Sequence, residues 1–224
     1  MSSLDDRLFL GRPPDQARGV VLMMHGGAES GPQEIDERSL AYRRTRWMFE
    51  SVKGRLRDGG VATALLRFQV KGWNAGLADA PSPVLDAREA LARLREEYAE
   101  LPIVLLGHSM GARTAAWVAD EPGVVGVVAL APWLPPGDPV GALAGRRLVA
   151  AHGSRDRITS ARATAAYVRR AAEVAASARF IDMGPLGHYM FTGVRRWNAT
   201  AVAESLGLFG LDNRDTVAGI TSSE

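Results

Sequence analysis

The sequence predicts a single α/β domain built on a mostly parallel, doubly wound sheet flanked by helices. Three observations carry this. Apolar runs rich in branched residues alternate with helix-period stretches, the order produced by parallel strands joined through crossover helices. Those runs are continuously apolar, as strands covered on both faces are. At 224 residues, with 46% hydrophobic and 23% charged positions and no internal shift in composition, the chain has the size of one globular unit. We read 1–224 as one domain, with a core over about 19–207 and a loosely held tail over about 208–224.

In order, residues 7–10 read as a short edge strand, ended by the turn-like Gly11-Arg12-Pro13-Pro14-Asp15. Gly19 to Met24 is a buried strand running into His25-Gly26-Gly27-Ala28. The polar stretch 28–38, with Gly31-Pro32, is a loop bordering a cleft. Leu40 to Arg57 has helical spacing, with Trp47, Met48, Phe49 and Val52 among basic residues, and Asp58-Gly59-Gly60 stops it. Val61 to Phe68 is a strand, and Gln69 to Pro83 a loop at its carboxyl end, the edge where open α/β sheets bind ligands. Val84 to Glu100 is a helix leading to the strand that ends at Gly107. After a helix over Ala112 to Ala119, Gly123 to Ala131 is a strand leaving through Pro132-Trp133-Leu134-Pro135-Pro136. Strand Arg147 to Gly153, helix Ser160 to Ala176, strand Arg179 to Asp182, loop Met183 to Tyr189 and helix Val194 to Leu206 complete the pattern. The connections are too short for a lid domain, so the site is expected to be shallow and open.

Charge and composition exclude several classes. The formal charge is only +2, from 27 basic and 25 acidic residues, which gives no long-range attraction for nucleic acid. Lysine occurs only at Lys53 and Lys71, and the arginine pairs, among them Arg43-Arg44, read as solvated helix and loop edges. There is no cysteine, so disulfides, thiolate metal sites and a cysteine nucleophile are out. The first residues lack a signal-peptide pattern and no apolar run has bilayer length, so a cytoplasmic protein without a membrane partner is expected. His25, His108 and His152 all sit at strand ends, but without metal-site spacing; no metal and no cofactor are expected.

One stretch organises the rest. Gly107-His108-Ser109-Met110-Gly111 sits between an apolar strand and an alanine-rich helix, the context that a G-x-S-x-G nucleophile elbow requires. The bland alternative is a strand-to-helix turn in which Ser109 caps the helix. A serine hydroxyl needs a general base to attack at neutral pH, and the base needs a carboxylate to orient it. Of the four histidines, only His188 lies in a glycine-flanked loop after the two downstream strands. Asp156 follows the strand ending at His152-Gly153, and Asp182 ends the last strand.

With His25-Gly26-Gly27, Gly107-His108-Ser109-Met110-Gly111, Gly153-Ser154-Arg155-Asp156 and Gly187-His188, the chain resembles a compact, lidless α/β hydrolase of the dienelactone-hydrolase-like or small carboxylesterase kind. The resemblance spans roughly residues 19–207. It implies Ser109 as nucleophile, His188 as base and then acid, and Asp156 as orienting carboxylate, with Asp182 as rival. It also implies an oxyanion hole made by the backbone N–H of Gly27 or Ala28 and that of Met110. Dienelactone hydrolases proper use cysteine, so their substrate is not carried over. Trp73, Trp133, Leu134 and Tyr189 are candidate pocket walls for a modest apolar acyl group. The function expected is hydrolysis of a small-molecule ester or thioester through an acyl-enzyme. The alternatives are acyl transfer or perhydrolysis by the same residues, and a binding module on the same fold.

Overall fold

The computed structural model describes residues 3–76 and 79–211. Among the described residues seven strands form one sheet: β1 Leu8–Leu10, β2 Val20–Met24, β3 Ala62–Leu66, β4 Ile103–His108, β5 Val124–Leu130, β6 Arg147–His152 and β7 Ser177–Asp182. Their spatial order is β1-β3-β2-β4-β5-β6-β7, and every pairing is parallel except the antiparallel β1–β3 pair. The helices are α1 Leu40–Asp58, α2 Ser82–Tyr98, α3 Met110–Trp117, α4 Ala161–Ala171 and α5 Val194–Leu208.

Burial explains the uninterrupted apolar strands. All residues of β2, β3 and β4 are buried, because each face of the sheet carries its own helical layer. On one face Leu22, Leu105 and Val127 pack with Val84 and Leu91 of α2 and Ala112 and Ala115 of α3. On the other, Val21, Val104 and Val128 pack with Met48, Phe49 and Val52 of α1 and Trp197, Ala201 and Val202 of α5. α4 ends earlier than its alanine-rich sequence suggests. Gly145 N–H donates to Val174 O and Ala176 N–H to Arg146 O, which draws the chain off the helix and into β7. Of the expected loose tail, residues 212–224 lie outside the described residues. Leu208 ends α5 and is buried, and Phe209 and Leu211 pack on the core, so that part is held.

The strand order positions the site. From β2 the chain steps to β3 on one side, then returns across β2 to place β4 on the other. The loops leaving β2 and β4 therefore diverge at their carboxyl ends, the switch point where a crevice opens. Parallel register pairs Met24 with Gly107, so His25-Gly26-Gly27 and His108-Ser109 leave the sheet side by side. Gly111 is fixed by that proximity. A Cβ there would stand 2.4 Å from the Met24 carbonyl oxygen and 2.6 Å from that of His25, so only glycine lets α3 start against the end of β2.

Candidate active site

Ser109 sits at the apex between β4 and α3 with φ +54° and ψ −115°, a conformation non-glycine residues rarely adopt. Its neighbours over-determine it. Ser109 N–H donates to Leu130 O, and Ser109 O accepts from the N–H groups of Ala112, Arg113 and Trp133. The side chain is only 7% exposed, with its hydroxyl directed at one partner. Ser109 Oγ lies 3.1 Å from His188 Nε2, and His188 Nδ1 lies 2.7 Å from Asp156 Oδ2. The short contact to a carboxylate puts the proton on Nδ1, leaving the Nε2 lone pair for the serine hydroxyl to donate to.

Asp156 is held by more than the histidine. Oδ1 accepts from the N–H groups of Ile158 and Thr159, both at 2.8 Å. Oδ2 also accepts from Thr159 Oγ1 at 2.9 Å and from His152 Nε2 at 3.0 Å. Burial opposes its charge, but the hydrogen bonds from His152, His188, Thr159 and Ile158 outweigh it and hold the carboxyl well below the usual range. It is a fixed anion beside His188. The chain of contacts continues outward, with Thr164 Oγ1 2.8 Å from His152 Nδ1. Asp182, the rival carboxylate, instead accepts from Gly184 N–H at 2.7 Å and shapes the turn after β7. Thr159, Thr164 and the link from His152 to Asp156 carried no motif; only the folded loops bring them together.

The two other histidines of this edge hold backbone in place. His25 Nε2 accepts from Phe68 N–H at 3.0 Å and Nδ1–H donates to Gly26 O, tying the loop after β2 to the end of β3. His108 Nε2–H donates to the carbonyl of His188 at 3.0 Å, fixing that residue from behind. Burial pushes His25 down to about 4 and His108 down to about 3, so both are neutral at physiological pH. Among the described residues no group of three or more His, Asp or Glu is placed to hold a metal ion.

Of the two residues expected to offer the first oxyanion N–H, Ala28 is excluded: its N–H donates to Lys71 O at 3.0 Å, in a bridge between the loops after β2 and β3. The N–H groups of Gly27 and Met110 have no partner among the described residues. Gly27 lines the cleft, and Met110 opens α3, where helical N–H groups lack acceptors.

The expected pocket walls are only partly right. A cleft of about 780 Å³ opens over Ser109 and His188, walled by Ile35, Asp36, Leu40, Ala41 and Arg44 together with Tyr189 and Phe191. Tyr189 is therefore a wall, and the 28–38 loop borders the cleft as its polarity suggested. Trp73, Trp133 and Leu134 are not part of it. Trp73 is 2% exposed and packs edge-on against Trp117 and Trp133, and Leu134 is buried in the core. The reason is Arg113. Its guanidinium lies 4.0 Å from the Trp73 ring centre and 4.4 Å from that of Trp133, and forks onto both oxygens of Asp138 at 2.6 Å. The tryptophans cover this ion pair rather than a ligand. Arg44, expected at a solvated edge, is buried.

The family profile of the serine aminopeptidases, S33, matches residues 72–179. No curated protein gives a significant sequence match. Among solved structures, an α/β serine hydrolase homologue from Coxiella burnetii is 15% identical with a TM-score of 0.65, covering 88% of this chain and 90% of that one. Est1E of Butyrivibrio proteoclasticus, bound to ferulic acid, is 13% identical with a TM-score of 0.65, covering 91% and 95%. Esterase Est2 of Thermogutta terrifontis, bound to butyrate, is 16% identical with a TM-score of 0.66, covering 92% and 90%. With the strand order above, these likenesses show that the chain has the α/β-hydrolase fold. In fold it is similar to solved α/β serine hydrolases and esterases. Among the described residues no helix is long and apolar enough to cross a membrane.

Proposed function

We propose that this protein is a serine esterase that hydrolyses a small carboxylic ester or thioester through an acyl-enzyme on Ser109. The observation that carries the reading is the unbroken line from Ser109 Oγ through both nitrogens of His188 to Asp156, opening on the cleft beside two unpaired backbone N–H groups. Ser109 Oγ attacks the substrate carbonyl while His188 Nε2 takes its proton, and Asp156 balances the imidazolium that forms. Charge developing on the carbonyl oxygen is received by the N–H groups of Gly27 and Met110, which need no reorganisation at that moment. His188 returns the proton to the leaving alcohol or thiol. It then takes a proton from water, whose oxygen attacks the acyl carbon, and passes that proton to Ser109 Oγ as the acid leaves.

The ferulic acid bound by Est1E and the butyrate bound by the Thermogutta esterase are carboxylic acids, the product class this chemistry would release. The test is intact-protein mass after fluorophosphonate treatment, with hydrolysis of 4-nitrophenyl esters of increasing chain length. A single adduct, absent from Ser109→Ala along with the esterase activity, is expected. A folded wild-type protein that takes no adduct overturns the reading.

A further inference from the structure

We infer that Arg44 is a substrate-recognition residue, and that the ester this cleft accepts carries a second, anionic group, a carboxylate, toward the wall formed by α1. The inference rests on the esterase reading above and names its substrate class.

Arg44 projects from α1 into the wall of the cleft that holds Ser109 and is only 5% exposed. Its Nε–H donates to the carbonyl of Tyr189 at 2.9 Å and Nη2 to that of Met190 at 2.8 Å, the two residues directly after His188. These acceptors are neutral. Among the described residues no carboxylate lies within ion-pair distance of Arg44, and Nη1 has no hydrogen-bond partner. The other buried arginines do not share this state. Arg7 pairs with Asp86, and Arg113 with Asp138. A guanidinium taken out of water without a counter-charge is costly, and burial pushes Arg44 below the usual arginine range.

The fork geometry shows what is free. With Nε and one Nη2 hydrogen spent on the two carbonyls, the end of the group, Nη1 with the remaining Nη2 hydrogen, can meet a carboxylate through two parallel bonds. The other charged residues lining the cleft balance, Arg38 and Lys71 against Glu34 and Asp36, so the Arg44 guanidinium is its excess charge; Asp36 Oδ1 is turned to the N–H groups of Arg38 and Ser39. Leu40 and Phe191 supply apolar wall beside the cation, so the ligand they fit is a short apolar chain with an acidic end.

Arg44 also holds the turn after His188, so absolute rates alone do not separate recognition from support. The experiment compares three esters: phenyl hexanoate, phenyl hydrogen adipate with the carboxylate on the acyl end, and 3-carboxyphenyl hexanoate with it on the alcohol. On wild type, one anionic ester should exceed the neutral one in kcat/KM by about tenfold or more, through KM, as a charge-assisted contact gives. In Arg44→Met that ratio should fall to about one, and Arg44→Lys should recover part of it. Calorimetric binding of the same esters to Ser109→Ala should give the same ratio, and its loss in Ser109→Ala/Arg44→Met, without any turnover. Equal or better use of the neutral ester by wild type, or an equal loss on all three esters in Arg44→Met, overturns the inference. Failure of all three to be cleaved, with no fluorophosphonate adduct, overturns the esterase reading instead, while the calorimetric ratio still decides the role of Arg44.

Discussion

Gly27→Ala tests the oxyanion assignment at the level of single atoms. A Cβ at this position would stand 2.3 Å from Met110 Cε, 2.6 Å from its sulfur and 2.5 Å from the carbonyl oxygen of Lys71. The thioether is the end of a flexible side chain and can swing away. The Lys71 carbonyl cannot, because it is backbone and already accepts from Ala28 N–H. Reaching even 3.0 Å from 2.5 Å requires a displacement of about 0.5 Å, which falls on the Gly27 backbone and its N–H. A donor moved that far no longer meets the oxyanion, and losing one such donor typically costs about a hundred- to a thousandfold in kcat. Overpacking should cost about 1–3 kcal/mol of stability, too little to unfold a typical domain. The assay is kcat and KM on 4-nitrophenyl butyrate, with fluorophosphonate labelling rate and thermal melting. We expect kcat to collapse with KM little changed and the fold retained. Because the obstruction is backbone, adding Met110→Ala should restore little. A Gly27→Ala enzyme within threefold of wild type would refute the assignment, and recovery in the double variant would refute the account of its cause.

Two further outcomes follow from buried charges. His25 and His108 titrate at about 4 and about 3 in the fold, but near 6.5 once unfolded. Below about pH 6.5 the unfolded chain therefore binds more protons, so this stability is complete above that pH and is lost as pH falls toward 4. Urea midpoints should fall between pH 7.5 and 4.5 by an amount equivalent to roughly 2 kcal/mol per histidine; an unchanged midpoint would show that neither is buried neutral. Asp138→Ala leaves the Arg113 guanidinium without its carboxylate between two tryptophans and should cost about 3–5 kcal/mol. Asp138→Leu with Arg113→Met should recover most of that, measured as melting temperature, and a single variant as stable as wild type would contradict the buried pair.

The strands and the elbow were legible because their signals are local: continuous apolar runs for β2, β4 and β5, and glycine on both sides of Ser109. His188 was legible by elimination among few histidines. Contacts set by the sheet's lateral order were harder to read. Tryptophans at a ligand-binding edge look like pocket walls until Arg113, distant in sequence from Trp73, is found between them. Ala28 and Gly27 are equivalent as letters, and only the bridge to Gly72 decides which N–H is spent. Arg44 reads as surface because arginine in a basic helix usually is; its burial depends on the turn after β7 folding over α1.

The position of His188 also has a consequence for synthesis. On the esterase reading proposed above, Ser109 and the donors of Gly27 and Met110 sit at the ends of β2 and β4, whereas the base, His188, arrives only after β7, the last strand among the described residues and an outer edge of the sheet. A chain that has emerged only through β6 already carries the nucleophile and both donors, yet nothing to remove the serine proton. Its hydroxyl stays inert toward the cell's esters and thioesters until the final strand docks. On that reading catalytic competence coincides with the docking of β7, and a truncated product ending before β7 would be silent rather than indiscriminately reactive.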